Sequence, residues 1–193
     1  MKSVAVFCGA SDGSLPIYSE QAQNLGEKLA SDGIRVIYGG AKIGIMGKVA
    51  EGALNAGGEV IGVIPSFLQT VEVAHDSLTE MFVVKTMHER KTKMNELSDG
   101  IIALPGGFGT MEEFFEILTW GQLGLHSKPM GLLNVNGFYD SLIAQFDVMV
   151  DSQLLKSVNR EMVLVSDSIN DLLVKMQKYK APSVEKWITT QRT

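Results

Sequence analysis

Arg90, Glu113 and the glycine-rich stretch Leu104-Pro-Gly-Gly-Phe-Gly-Thr-Met-Glu-Glu113 are the residues of this sequence whose types and spacing suit chemistry. The stretch follows a short apolar run, Gly100-Ile-Ile-Ala-Leu104, and opens a segment with helical periodicity. Strand, glycine loop and helix start, in that order, aim unpaired backbone N–H groups and a helix N-terminus at one point, where an anion can sit. Gly106, Gly107 and Gly109 allow positive φ and let the backbone approach a ligand closely. Phosphate is the expected guest.

At about 100° per residue, Arg90 falls between Met94 and Leu97, with Met87 beside them. A guanidinium within an inward apolar stripe needs a partner, because an unpaired buried charge is very costly. A phosphate or carboxylate ligand would serve, and so would a structural salt bridge to an internal acid. The same arithmetic puts Glu113 between Ile117 and Trp120. Here the alternative is local: Thr110-x-x-Glu113 has the form of a capping box, in which Glu113 would reach back to the N-cap N–H. What favours chemistry is the conjunction of an anion cradle, an inward arginine and an inward glutamate.

The elements that must position these groups alternate. Strands are expected at Val4–Cys8, Val36–Tyr38, Val60–Ile64, Met81–Val84, around Ile101, at Pro129–Leu133 and at Met162–Val165. Helices are expected through Tyr18, Ala22, Leu25 and Leu29, from the glycine loop 39–47 to about Ala56, and over Met87–Leu97. Three more are expected from about Thr110 to Leu123, over Phe138–Val150, and through Ile169–Met176 with Asp167 or Ser168 as its cap. The stretch Ser66–Glu80 has no clear period. Alternation of this kind predicts an α/β fold: a three-layer, Rossmann-like doubly wound sheet, mostly parallel, of about seven strands flanked by helices. Its ligand crevice lies beyond the carboxyl ends of the strands, where loops 9–16, 39–47 and 105–109 can converge. Residues 1–180 read as one nucleotide-binding domain and 181–193 as a C-terminal tail. Neither the dinucleotide glycine fingerprint nor Walker A spacing is present.

A chain of 193 residues with 45% hydrophobic and 20% charged residues has an ordinary globular composition. Net charge −5 argues against a nucleic-acid partner. One cysteine, Cys8, excludes an intrachain disulfide and reads as a buried small hydrophobe. Three scattered histidines make no metal constellation and read as surface or supporting residues. The N-terminus enters a strand-like run within three residues, and no apolar stretch is long enough to span a bilayer, so a cytoplasmic protein without signal peptide or membrane partner is expected.

Pro105-Gly-Gly-Phe-Gly-Thr-Met-Glu-Glu113, preceded by Met87-His-Glu-Arg-Lys91, resembles the LOG ("Lonely guy") family of cytokinin riboside 5′-monophosphate phosphoribohydrolases. The likeness continues through Gly39–Gly47, Gly62–Pro65, Leu118–Leu123 and Lys128–Asn134, and so covers most of residues 1–180. It implies hydrolysis of the N-glycosidic bond of a nucleoside 5′-monophosphate to free base and ribose 5-phosphate, with Arg90 and Glu113 catalytic. It implies substrate contacts at Glu72, Arg90, Lys91, Gly107, Phe108, Gly109, Thr110, Met111, Glu112, Glu113 and Thr119. It also implies a homodimer. The hydrolysis itself needs no metal, and no cofactor is expected. Thr119 lies about 120° round the helix from Glu113, so a ligand touching both would have to curve around that helix, or the loop would have to reshape its first turn. Phe115 and Leu118 give the helix a second apolar face, suited to a subunit interface or to cover from the same chain. Two rival readings share the fold. One is a non-hydrolytic nucleotide or cofactor carrier, like the molybdenum-cofactor carrier proteins. The other follows an older label for such sequences, lysine decarboxylase, and would need a cofactor-binding lysine.

Overall fold

The inner apolar runs become strands because their side chains are buried on both faces of the sheet; the edge run 80–84 is only partly covered. The computed structural model describes residues 1–69 and 74–182. The strands are β1 (Ser3–Phe7), β2 (Arg35–Tyr38), β3 (Val60–Pro65), β4 (Glu80–Val84), β5 (Gly100–Ala103), β6 (Met130–Leu133) and β7 (Val163–Ser166). All pairings are parallel, in the order β4-β3-β2-β1-β5-β6-β7. The winding direction reverses between β1 and β5, where Ala5 pairs with Ile101 on one side and Ile37 on the other. A reversal of this kind opens a crevice at the strands' carboxyl ends.

The helices are α1 (Pro16–Ser31), α2 (Gly44–Asn55), α3 (Met87–Leu97), α4 (Phe108–Gln122), α5 (Asp140–Asp151), α6 (Ser157–Arg160) and α7 (Ile169–Lys178). Alternate strand residues serve opposite layers. Val4, Val6 and Cys8 pack with Leu25 and Leu29 of α1, Val49 and Ala53 of α2, and Leu172 and Met176 of α7. Ala5 and Phe7 pack with Met94 of α3, Phe114 and Ile117 of α4, and Phe146 of α5. Helices α1 and α2 touch through glycines: a Cβ on Gly26 would lie 2.1 Å from Val49 O, and one on Gly52 2.2 Å from Gln23 O.

Several boundaries differ from the sequence reading. Helix α4 starts at Phe108, with Gly107 as its N-cap, so Thr110 is already inside the helix and the capping box with Glu113 does not form. Helix α5 starts at Asp140 rather than Phe138. A 3₁₀ turn at Val135–Gly137 precedes it, with positive φ at Asn136 and Gly137, and Asn134 Oδ1 accepts from Tyr139 N at 2.7 Å. Ser66–Leu68 forms a second 3₁₀ turn, and Ala74 bridges to Ala41. The short helix α6 has no counterpart in the periodicity. Ser168 does cap α7, accepting from Asp171 N.

Asp99 ties the amino ends of β1 and β5 together: its Oδ2 accepts from Lys2 N at 2.6 Å and Ser3 N at 3.2 Å. Those two bonds hold its carboxyl below the ordinary 3.8, the Lys2 amide most of all. A depressed folded pKa means stabilisation that is present above the unfolded value and fades as pH falls through the folded one. Asp99→Ala is therefore expected to lower Tm at neutral pH, with the gap to wild type closing as pH falls below the ordinary carboxylate value. Thermal melts of both proteins at pH 7, 5 and 3 check this; a gap that widens in acid contradicts it.

Candidate active site at the switch point of the sheet

Three loops meet above β1, β2 and β5, and hydrogen bonds fix where each points. Gly9 N donates to Pro105 O at 3.1 Å, joining the loops after β1 and β5. Ile45 N and Met46 N, in the first turn of α2, donate to Ser11 O and Gly9 O at 3.4 and 3.3 Å. The amide end of α2 is thereby engaged in holding the first loop. The amide end of α4 is placed differently: Met111 N closes the first turn on Gly107 O, and the N–H groups of Phe108, Gly109 and Thr110 precede any intrahelical acceptor.

The glycines of the α4 loop act by size rather than by φ. Positive φ is found at neither Gly106, Gly107 nor Gly109, so the conformational freedom that glycine allows is not used there. A Cβ on Gly106 would lie 2.1 Å from Thr110 Oγ1 and 2.9 Å from Gly9 N, so this residue lets two loops close on each other. At Gly107 and Gly109 a Cβ would meet nothing within 4 Å. Both line a cavity of about 300 Å³, together with Cys8, Gly9, Ala10, Met46, Leu68, Met87, Arg90, Thr110 and Glu113. A larger depression, of about 470 Å³, lies at the other end of the sheet, around Lys2, Arg35 and Glu59. It faces the amino ends of the strands, away from the switch point.

Arg90 reaches the cavity because the start of α3 is fixed. Thr86 Oγ1 accepts from Glu89 N at 3.1 Å, and Glu89 Oε2 accepts from Lys85 N at 2.7 Å. This cap sets Arg90 one turn into the helix. Its side chain is 4% exposed, Nη2 donates to Gly39 O at 3.1 Å, and Nη1 lies 3.8 Å from Glu113 Oε1. Glu113 is 8% exposed. At that separation the charges attract without a direct hydrogen bond. Gly39, at the end of β2, is the residue whose lack of a side chain admits the guanidinium.

The floor of the cavity is Cys8. Burial pushes its thiol far above the ordinary range, the nearby Glu113 charge adds to this, and Arg90 opposes it. Cys8 is thus a neutral, weakly polar floor. Below it, Tyr139 donates to Leu104 O at 2.6 Å. Met46, Leu68 and Met87 supply the apolar wall, which the sequence reading did not include; their spacing across three separate elements carried no signal.

The other candidate residues fall at varied distances from this cavity. Lys91 turns to α4 and ion-pairs with Glu112 and Glu116. Phe108 stands 96% exposed at the helix start, Met111 is half-buried and Glu112 is exposed. Thr119 is exposed and donates to its own helix, to Phe115 O at 2.8 Å. Glu72 lies outside the described residues. Phe115 packs edge-on against Phe146 of α5, so part of the second apolar face of α4 is covered from within the chain. Of the histidines, His88 is exposed, His126 is half-buried with its ring against Ile117 O, and His75 is buried rather than at the surface.

The sequence matches the family described as "Possible lysine decarboxylase" over residues 46–176. It is 41% identical over 191 residues to cytokinin riboside 5′-monophosphate phosphoribohydrolase LOG1 of Arabidopsis thaliana, spanning 96% of this chain and 90% of that one. This chain belongs to the LOG family. A second LOG relative, LOG5 of Arabidopsis thaliana, is 42% identical over 179 residues, 93% of this chain and 78% of its own. Among solved structures, the molybdenum cofactor binding protein of Rippkaea orientalis superposes with a TM-score of 0.69 at 24% identity, covering 91% of this chain and 94% of that one. That likeness shows the fold alone. The lysine chemistry in the family's description has no support in the cavity: among the described residues no lysine lines it, and Lys42, Lys48 and Lys93 pair with Asp76, Glu51 and Glu96.

Proposed function

We propose that this protein is a cytokinin riboside 5′-monophosphate phosphoribohydrolase, cleaving the N-glycosidic bond of nucleoside 5′-monophosphates to free base and ribose 5-phosphate. One observation carries the reading: a glutamate and an arginine, both buried, face each other across 3.8 Å in a cavity bounded by the amide end of α4. LOG relatives of that printed activity, 41–42% identical over most of the chain, support the substrate class.

Departure of the base develops oxocarbenium character at the ribose C1′. Glu113 is the group suited to stabilise that charge, to orient the attacking water and to take its proton as the new C1′–O bond forms. A guanidinium is too weak an acid to hand over a proton, so the general-acid role does not fall to Arg90. Held by Gly39 O, it fixes the glutamate and the sugar or the 5′-phosphate. The first N–H groups of α4, with Thr110, are placed to hold phosphate oxygens. Met46, Leu68 and Met87 offer an apolar wall to the base. The reading includes a homodimer acting in the cytoplasm, without nucleic acid or membrane partner. Among the described residues no helix is long and apolar enough to cross a membrane.

The decisive experiment is a product assay over a panel of purine and isopentenyladenine nucleoside monophosphates, run beside the matching nucleosides. Equimolar base and ribose 5-phosphate are expected, with turnover about 10- to 100-fold lower once the 5′-phosphate is missing, because its binding positions C1′. Saturable binding with no products would replace the enzyme with a carrier. Light scattering of the same preparation checks the dimer.

A further inference from the structure

Arginine and lysine make two sets of charge contacts from α3 to α4, one residue out of step with each other. Arg90 of α3 faces Glu113 of α4. The next residue along, Lys91, faces Glu112 and Glu116, to either side of Glu113. Its Nζ donates to Glu112 Oε1 and lies 2.8 Å from Glu116 Oε2, with its side chain only 7% exposed. Glu116 also has the exposed His88 ring at 3.9 Å. Burial opposes the ammonium charge, and the two carboxylates outweigh it, so Lys91 is held protonated more firmly than a free lysine.

Arg90 and Glu113 line the cavity; Lys91 is not among the residues that do. Lys91 Nζ already serves two carboxylates, so a ligand phosphate would compete with them for its three protons. Losing both to a ligand would put three acids, Glu112, Glu113 and Glu116, on two successive turns of α4 with Arg90 facing them from α3.

The geometry points to Lys91 as a positioning residue: by bracing α3 against the first turns of α4 through Glu112 and Glu116, it sets the separation of Arg90 from Glu113. This rests on the phosphoribohydrolase reading of the cavity. It also departs from the substrate contact that the resemblance implies for Lys91.

Kinetics of Lys91→Met, and of a double variant carrying Glu112→Gln and Glu116→Gln, distinguish a brace from a phosphate ligand. A brace acts on the reacting geometry, so kcat for the preferred monophosphate is expected to fall about 10- to 100-fold in both proteins, with KM within about threefold of wild type. The ratio of nucleotide to nucleoside turnover stays as it was. Lys91→Arg, whose fork can span both carboxylates, is expected to recover most of the rate. The opposite pattern overturns the brace: KM raised about tenfold or more in Lys91→Met, nucleotide preference lost, and the double glutamine variant at wild-type turnover. Should Lys91→Met fail to fold, the double variant carries the kinetic test alone.

Thermal midpoints supply a readout that needs no turnover. Lys91→Met, the double glutamine variant and the triple variant form a cycle. Non-additive losses are expected from a coupled brace, and additive losses overturn it. A wild-type protein releasing no base from any monophosphate would refute the phosphoribohydrolase reading, while the brace would still be decided by the cycle.

Discussion

Glu113→Gln is expected to lower kcat at least about a thousandfold, roughly 4 kcal/mol of transition-state stabilisation, with KM near wild type. The substitution keeps the shape of the side chain and its packing against the cavity wall, and removes the charge. An amide can neither balance an oxocarbenium ion nor take a proton from water, so the loss falls on the transition state rather than on binding. The neighbouring guanidinium keeps its bond to Gly39 O, which limits the cost to the fold. Circular dichroism and a thermal melt establish that the variant is folded; base release then gives kcat and KM separately. Glu113→Asp keeps the charge but withdraws it by one methylene, and an intermediate loss is expected. A glutamine variant that is folded and turns over like wild type would remove Glu113 from the chemistry and leave the phosphate cradle without a catalytic partner.

The inward placement of Arg90 and Glu113 was legible in the sequence because each sits at helical spacing among apolar residues, and an apolar stripe must face the core. The inner strands were legible for a related reason. A parallel strand covered on both faces is a continuous apolar run, ended here by Gly9, Gly39, Pro65 and Pro105; β4, at the edge and only partly covered, was legible as a short apolar run. What local pattern could not give was the contacts between elements. Gly39 as the seat of Arg90 joins residues 51 positions apart, and nothing near either residue announces the pairing. Lys91 lies next to Arg90 in sequence, and the resemblance assigned it to the substrate; its burial depends on two carboxylates from another helix. The start of α4 was misjudged by two residues, because the Thr110-x-x-Glu113 spacing fits a capping box while Gly107, lacking a side chain, gives no capping signal of its own. For the glycine loop, composition allowed positive φ and close backbone approach alike. The actual constraint at Gly106 is contact with Thr110 and Gly9, which depends on tertiary structure.

Gly39→Ala is expected to reduce kcat about 10²- to 10³-fold through a residue that touches no substrate. The added Cβ would lie 1.9 Å from Arg90 Nη2, 3.1 Å from Arg90 Cζ and 2.9 Å from Met46 Sδ. Ordinary contact needs about 3.5 Å, so the guanidinium has to move by about 1.5 Å. Methionine can bend aside at small cost. The arginine cannot do so without losing Gly39 O and changing its 3.8 Å separation from Glu113. Gly39 has no positive φ, so the backbone accepts alanine, and the fold is expected to lose about 1–3 kcal/mol from overcrowding. Gly107→Ala provides the contrast. Its Cβ would meet no protein atom within 4 Å but would enter the lining of the cavity, so KM should rise more than kcat falls. A double variant of Gly39→Ala with Arg90→Ala tests the route of the effect. If Gly39 acts only by seating Arg90, the double variant is no slower than Arg90→Ala alone. Full additivity of the two losses would show that the glycine matters for some other reason, and the seat proposed for the guanidinium would have to be given up.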